Sequence, residues 1–321
     1  MSQAEPVAVG VDVGATKVLV GCVGRDGLVR ASRRYPMNRE SQAATLDSIH
    51  SAVEDFLGLV PCRLQPVGIG VGLVGLTDPA TGTWLHSMNL SIRVPVPLAA
   101  RLHDRHGLPV AVDNDVHAAT LAELRLGAGR RARDFVYVGV GTGVAAGLVC
   151  NGQLVRGSSN YAGELGHTVV EPEGDPCQCG RRGCLEPIAS GGGMIAHVEA
   201  RLADYPASPL WEPARRGELT SAVIFRACDA GDALATSVTN RAVRALGIAL
   251  TNLVNLLNPE LIVLGGGVVA DGWLIPRLRD YVAANALRNA YRGLRGVEPS
   301  ELSADLVGLL GAAALAWERP T

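Results

Sequence analysis

The chain nearly lacks lysine. Of its 29 basic residues a single one, Lys17, is lysine and all the others are arginine. A general bias toward arginine accounts for the depletion. The survival of one lysine inside a Gly-rich turn points to a place that wants a compact ammonium rather than a planar guanidinium, with chance survival as the other reading. Net charge is nearly absent too: −2 at pH 7 gives no general basis for binding nucleic acid or an anionic membrane. No apolar run approaches the length needed to span a bilayer. Residues 1–6 contain Glu5 and no basic stretch before an apolar run, which excludes a signal-peptide reading there. With no secretory signal, the 7 cysteines argue against a disulfide framework and favour metal ligation or free thiols. The expectation is a cytoplasmic protein. Charged residues make up 19% against 48% hydrophobic, so the chain is globular rather than disordered. Its 321 residues suffice for two lobes, each with a core of its own.

The apolar pattern reads as strands at 7–13, 18–24 and 28–35, an amphipathic helix at 41–59, a strand at 67–74, a short strand at 109–112 and a helix at 114–126. It then restarts with strands at 135–140 and 144–150 joined by a Gly-rich turn, followed by the turn dipeptide Asn151-Gly152. Helices are expected at 190–202, 221–231 and 233–257, a strand at 260–264, and a closing helix at 306–317. Residues 202–218, with Pro206, Pro209 and Pro213, read as a surface excursion. A strand, Gly turn and strand thus occur twice. This predicts two half-chains that hold one nucleotide across a cleft, the small lobe at 1–114 completed by 306–321 and the large lobe at 115–305.

Asp12-Val13-Gly14-Ala15-Thr16-Lys17 ends the first strand. Glycine lets backbone N–H groups approach an anion, Thr16 adds a hydroxyl donor, and Asp12 is placed to orient Mg²⁺ against phosphates. The spacing is not that of a P-loop, and an ordinary hairpin turn is the competing reading. Gly139-Val140-Gly141-Thr142-Gly143 repeats the chemistry in the second half. Gly265, Gly266 and Gly267, after an apolar strand, make a third close-approach turn suited to the adenosine or its phosphates, or simply a glycine helix entry. In Asp113-Asn114-Asp115, Asp115 is the candidate general base for a hydroxyl nucleophile and Asn114 a candidate sugar ligand, against the reading that these residues cap a helix.

The most specific pattern is His167 followed by Cys177, Cys179 and Cys184. Three thiolates and one imidazole complete a closed tetrahedral set, the structural zinc pattern, with a disulfide plus a spare thiol as the alternative. If one ring nitrogen of His167 takes the metal, the other is left to donate a hydrogen bond, and a sugar hydroxyl is a natural acceptor. Glu164 and Glu186 frame that site as acceptors for hydroxyl pairs, or are plain surface charges. Cys22, Cys62, Cys150 and Cys228 read as small core residues.

Together these segments resemble the repressor/open-reading-frame/kinase (ROK) family, and within it the bacterial glucokinases. The resemblance rests on residues 12–17, Asn114-Asp115, 141–143, 164–167, 177–186 and 258–267, with Gly308, Gly311 and 312–314 in a small-residue closing helix. It implies an α/β, two-lobed actin/hexokinase-like (ribonuclease H-like) ATPase fold. It also implies ATP, Mg²⁺, a structural Zn²⁺, a homodimer or homotetramer, and phosphorylation of a primary hydroxyl, usually at carbon 6. By the same resemblance Asp115 is the catalytic base, Asn114, Glu164, His167 and Glu186 bind sugar hydroxyls, and His167 with the three cysteines binds zinc. Ala15 stands where a third glycine is usual. Asn89 looks like a sugar ligand, yet no Trp follows Asn89-Leu90 as it does in glucokinase-like relatives. That opens the reading to kinases of amino sugars (kanosamine, N-acetylglucosamine, N-acetylmannosamine) and of C7-cyclitols. A repressor of this family carries a helix-turn-helix domain ahead of the sugar-binding part, and the first strand begins by Val7. A non-catalytic sugar sensor is a further reading, disfavoured by Asp115 and the two phosphate turns.

Overall fold

The computed structural model describes residues 4–87 and 89–318. The described chain forms two compact units. One comprises Met1–Arg130, Gln153–Ala162 and Glu301–Thr321, the other Arg131–Gly152 and Gly163–Ser300.

The first unit opens with β1 (Glu5–Val13), β2 (Lys17–Val23), β3 (Val29–Pro36) and α1 (Gln42–Leu59). It continues through β4 (Leu64–Leu73), the small hairpin β5 (Leu76–Asp78) and β6 (Thr83–His86), α2 (Leu98–His106), β7 (Val110–Asn114) and α3 (Asp115–Arg125). Its sheet has the order β3-β2-β1-β4-β7, antiparallel through the first three strands and parallel from β1 through β4 to β7. Alternation along β1 divides the two faces. Val7, Val9, Val11 and Val13 are buried with Ile49, Val53 and Phe56 of α1, while Ala8 lies in a second cluster with Leu309, Leu310 and Ala313.

That second face is covered by the closing helix, Val307–Glu318, at backbone range. A Cβ at Gly70 would lie 1.7 Å from the carbonyl oxygen of Ala312, and one at Gly10 2.5 Å from that of Leu309. Gly311 of the helix meets α3 in the same manner, 2.0 Å from the Ala118 carbonyl. Ala118 and Leu121 of α3 share a buried cluster with Ala314 and Leu315. This packing explains a departure from the expected boundary at 114/115: α3 stays with the first unit, which runs on through Arg130 and takes back residues 153–162.

The second unit holds β8 (Phe135–Val140) and β9 (Val144–Cys150). After the short strand β10 (Gln153–Val155) come α4 (Glu186–Ala189), α5 (Gly191–Arg201), α6 (Trp211–Arg215), α7 (Ser221–Asp229) and α8 (Ala233–Leu257), then β11 (Leu261–Gly265), α9 (Leu274–Asn285), α10 (Arg288–Gly293) and β12 (Val297–Pro299); the closing helix is α11. Strands β8 and β9 form an antiparallel hairpin, and β11 runs parallel to β8 on its other side, with β12 beyond. The first unit has the same plan in β2, β1 and β4. Helix α8 starts at an Asp232 cap, whose carboxylate accepts from Ala235 N–H at 2.7 Å, and stops at Asn258 in the left-handed region (φ 47°).

Two expectations are corrected here. Residues 202–218 are more than a surface excursion, because Leu202 and Leu210 are buried in the second unit's core and Tyr205 and Trp211 pack against it. Of the cysteines read as core residues only Cys22 is buried; Cys62 is exposed just past α1, and Cys150 and Cys228 are half-buried.

Candidate active site

In the first unit the candidate groups gather at the ends of β1 and β7. Alternation turns Asp12 away from the Val11 and Val13 side of β1, and the turn after it is closed by a Gly14 N–H to Lys17 carbonyl bond of 3.0 Å. Thr16 and Lys17 are exposed. The Asp12 carboxyl lies against Gly308 in the first turn of α11, where a Cβ would sit 2.6 Å from its Cγ. Burial raises the Asp12 pKa, and the Lys17 charge opposes that rise.

Asp115 starts α3, directly after β7. Asp115 is half-buried. Burial first, then the negative charge of Asp12, push its carboxyl up to about 7, against the Val116 N–H that it accepts at 3.0 Å. A carboxyl poised near neutrality beside a second carboxyl is what proton transfer at neutral pH requires.

Asn114 performs the capping role that competed with sugar binding. Its side-chain oxygen accepts from the N–H groups of Val116 (2.8 Å) and His117 (3.3 Å), and its amide nitrogen donates to the Gly75 carbonyl at 2.9 Å. One amide N–H remains for a ligand. Asn89 is exposed in the turn between the bridged residues Ser87 and Ile92. That turn is tied to α1 by the Thr45 hydroxyl, which donates to the Leu90 carbonyl at 3.1 Å.

A network that the sequence reading did not single out lies beside Asp115. The carboxylate of Asp113 is fully buried and takes hydrogen bonds from Arg156 Nε (2.9 Å) and Nη2 (2.7 Å), from the Asn114 N–H (2.7 Å), and from His117 Nδ1 (3.0 Å). The available signal was the spacing of Asp113 and His117, four residues apart across a helix start; Arg156 was not visible.

In the second unit, the turn Gly141–Gly143 closes through Gly141 N–H to the Gly143 carbonyl at 2.9 Å, and Gly191 N–H caps the Gly141 carbonyl at 2.8 Å. Glu186, at the start of α4, accepts from Val144 N–H at 3.0 Å. A Cβ at Gly143 would lie 2.5 Å from that same carboxylate oxygen, so a side chain there would displace Glu186. The second Gly turn and one proposed sugar ligand are thus built against each other. Gly266 is left-handed (φ 92°) and pressed on the Val140 carbonyl, Gly265 sits against the Tyr137 hydroxyl, and Gly267 faces open space.

His167, Cys177, Cys179 and Cys184 come together with all their ligand atoms within 4.8 Å of one another. The donor set suits zinc in a closed tetrahedral site. His167 turns Nδ1 toward Cys177 Sγ (3.5 Å) and Nε2 toward Glu164 (3.9 Å), so the nitrogen left free of a metal faces the proposed sugar ligand. Gly180 and Gly183 supply the left-handed turns at φ 85° and 73°. The loop is also fastened apart from any metal: Arg241 of α8 pairs with Glu171 at 2.6 Å and Asp175 at 2.7 Å.

Two mixed sheets, each a hairpin extended by a parallel strand, with Gly-rich turns at the strand ends, make this an α/β protein of the hexokinase-like kinase fold. The family model for the ROK family matches residues 8–319, and the chain belongs to that family. It is 37% identical over 284 residues to a glucokinase of Halalkalibacterium halodurans, covering 87% of this chain and 86% of the relative. A ROK family glucokinase from Streptomyces griseus, solved with glucose and AMPPNP, superimposes with a TM-score of 0.78 at 28% identity, covering 98% of this chain and 100% of that one. A ROK family transcriptional regulator homologous to the E. coli MLC protein superimposes with a TM-score of 0.86 at 27% identity, covering 97% of this chain and 77% of that one.

Proposed function

We propose that this protein is an ATP-dependent sugar kinase that phosphorylates the exocyclic primary hydroxyl of glucose or a close analogue. The observation that carries the reading is Asp115: a carboxyl at a strand–helix junction, held near neutrality by burial and by Asp12. As general base it accepts the proton of the attacking hydroxyl while the phosphoryl group moves to the oxygen. Asn114 offers its free amide N–H, and Glu164, His167 Nε2 and Glu186 offer acceptors and a donor to the ring hydroxyls. Lys17, Thr16 and the N–H groups of the Gly14 and Gly141–Gly143 turns are suited to phosphate oxygens. Asp12 would hold Mg²⁺, which when bound neutralises phosphate charge. Zinc on His167 and the three cysteines would fix that loop and supply no chemistry. The glucokinase relatives, one of them solved with glucose and an ATP analogue, support the same reading.

An amino sugar or a C7-cyclitol is the alternative substrate. It is favoured by the turn at Asn89, which continues through Ser91 and buried Ile92 with no aromatic side chain. A coupled ADP-release assay over hexoses, amino sugars and cyclitols tests both. Galactose should fail because it misplaces a hydroxyl, leaving groups that a bound sugar shields from water unpaired at about 1–3 kcal/mol each. Six-deoxyglucose should fail for want of the nucleophile. No ADP release above background with any member, alongside measurable sugar binding, would overturn the kinase in favour of a sugar-sensing regulator.

A further inference from the structure

Residues 156–162 directly follow β10, the edge strand of the β10-β9-β8-β11-β12 sheet, yet group with the first unit. The structure shows what holds them. Ala162 N–H donates to the Arg156 carbonyl at 3.0 Å and closes residues 156–162 into a loop. Both ends of the loop are then gripped from α3 and β7. The Arg156 guanidinium reaches the buried Asp113 carboxylate through two hydrogen bonds, and His117 Nε2 lies 3.2 Å from the Ala162 carbonyl. Between these anchors the tip is displayed: Tyr161 is 55% exposed and Asn160 is left-handed at φ 63°. Two residues after the second anchor the chain reaches Glu164.

The ring of His117 is 3% exposed and stands between two acceptors. On Nδ1 it meets a carboxylate that already accepts three other N–H groups; on Nε2 it meets a backbone carbonyl. Neither partner has a proton to give, so both bonds exist together only if both ring nitrogens carry hydrogen. The charged groups facing the ring are Asp113 on β7, Arg156 through that carboxylate, and Asp115 two residues earlier on α3. Helix α11 and strand β4 present Gly311, Ala314, Leu315 and Gly72 to α3, and the Arg125–Glu318 pair closes its far end.

We infer that Asp113, His117 and Arg156 form a charged clamp in which His117 is an imidazolium, and that this clamp positions both Asp115 and the loop leading to Glu164. The inference deepens the kinase reading and rests on it for its kinetic consequences. The three residues touch no reacting atom; they are positioning residues. The imidazolium places a positive charge beside Asp115, whose carboxylate it favours, and the Arg156 bonds hold residues 156–162 to Asp113. Loss of the clamp therefore raises the apparent pKa of the base and weakens sugar binding more than it slows the chemical step.

The test uses the full-length protein. In ¹⁵N-histidine-labelled protein at pH 7, the ring signals lost in His117→Gln should be those of a doubly protonated imidazole. Under saturating ATP, Arg156→Gln should raise the sugar KM about tenfold with a smaller change in kcat, and Arg156→Lys should recover part of it. His117→Gln should move the acid limb of kcat/KM to higher pH, a shift that a merely structural role does not produce. In Arg156→Gln, amide exchange across residues 157–162 should quicken while that of β1 stays unchanged. A neutral His117 ring at pH 7, or wild-type exchange in that loop, would overturn the clamp. Should wild-type protein phosphorylate no sugar, the kinase reading fails, and the ring spectrum and exchange rates still decide the clamp.

Discussion

The Asp12 carboxyl and Gly308 are in such close approach that a single added methyl group would displace the carboxyl: a Cβ at Gly308 would lie 2.7 Å from each of the two carboxylate oxygens. Glycine in a helix is disfavoured by about 1 kcal/mol relative to alanine, so by helix propensity alone Gly308→Ala should stabilise α11. Steric displacement of Asp12 predicts the opposite for activity. Gly308→Ala should lower kcat at least tenfold with sugar affinity, measured by calorimetry, unchanged. Wild-type kcat in this variant would separate Asp12 from the reaction.

Asp115→Asn should lower kcat by about a thousandfold or more while sugar still binds. In the wild type, the raised pKa sets the pH profile. The base must be ionised to accept a proton, so kcat/KM should rise with pH and level off above about 7. A flat profile between pH 5.5 and 8 would contradict the assignment.

The same carboxyl works against folding. Its pKa rises from 3.8 in the unfolded chain to about 7 in the native state, so the native state binds the extra proton between those values. Stability contributed by the neutral form is complete below pH 3.8 and declines as pH rises through 7, by at most about 4 kcal/mol. Asp115→Asn should therefore melt above wild type at pH 8, with the gap narrowing toward pH 5. Equal melting temperatures across that range would remove the burden from Asp115.

One zinc per chain should co-purify, and Cys179→Ser should lose it together with thermal stability and sugar affinity. Cys179 is the exposed ligand, so its replacement disturbs little besides the metal. Active protein without zinc by elemental analysis would refute the site.

Lys17 is exposed at the end of the first Gly turn, and its charge is felt at Asp12. Lys17→Ala should raise the KM for ATP or lower kcat about tenfold, leaving sugar affinity unchanged, with Lys17→Arg restoring part of the loss. Unaltered kinetics would leave the lone lysine without a role.

Features set by short-range chemistry could be read directly. The period-2 valines of β1 and the cap residue Asn114 act over a few positions and carry their structure locally. The Cys177-x-Cys179 and Cys184 spacing did the same for the His167 and cysteine cluster, since three of its four members lie within eight residues. What depended on long-range packing was not legible. The helices at 98–106 and 274–285 and the buried role of Leu210 show only once a core exists to receive them.

The site divides in the same way. Sequence by itself named the candidates for the chemistry: Asp12, Asp115, the Gly turns and the His167 and cysteine set. Only the tertiary structure decided their working state, because burial and charge act through space. It set Asp115 beside Asp12 from a position far along the chain, occupied the side-chain oxygen of Asn114 in a helix cap, and pressed Glu186 against Gly143. It also brought Arg156 across to Asp113, joining residues separated by a whole hairpin, which no spacing in the sequence could announce.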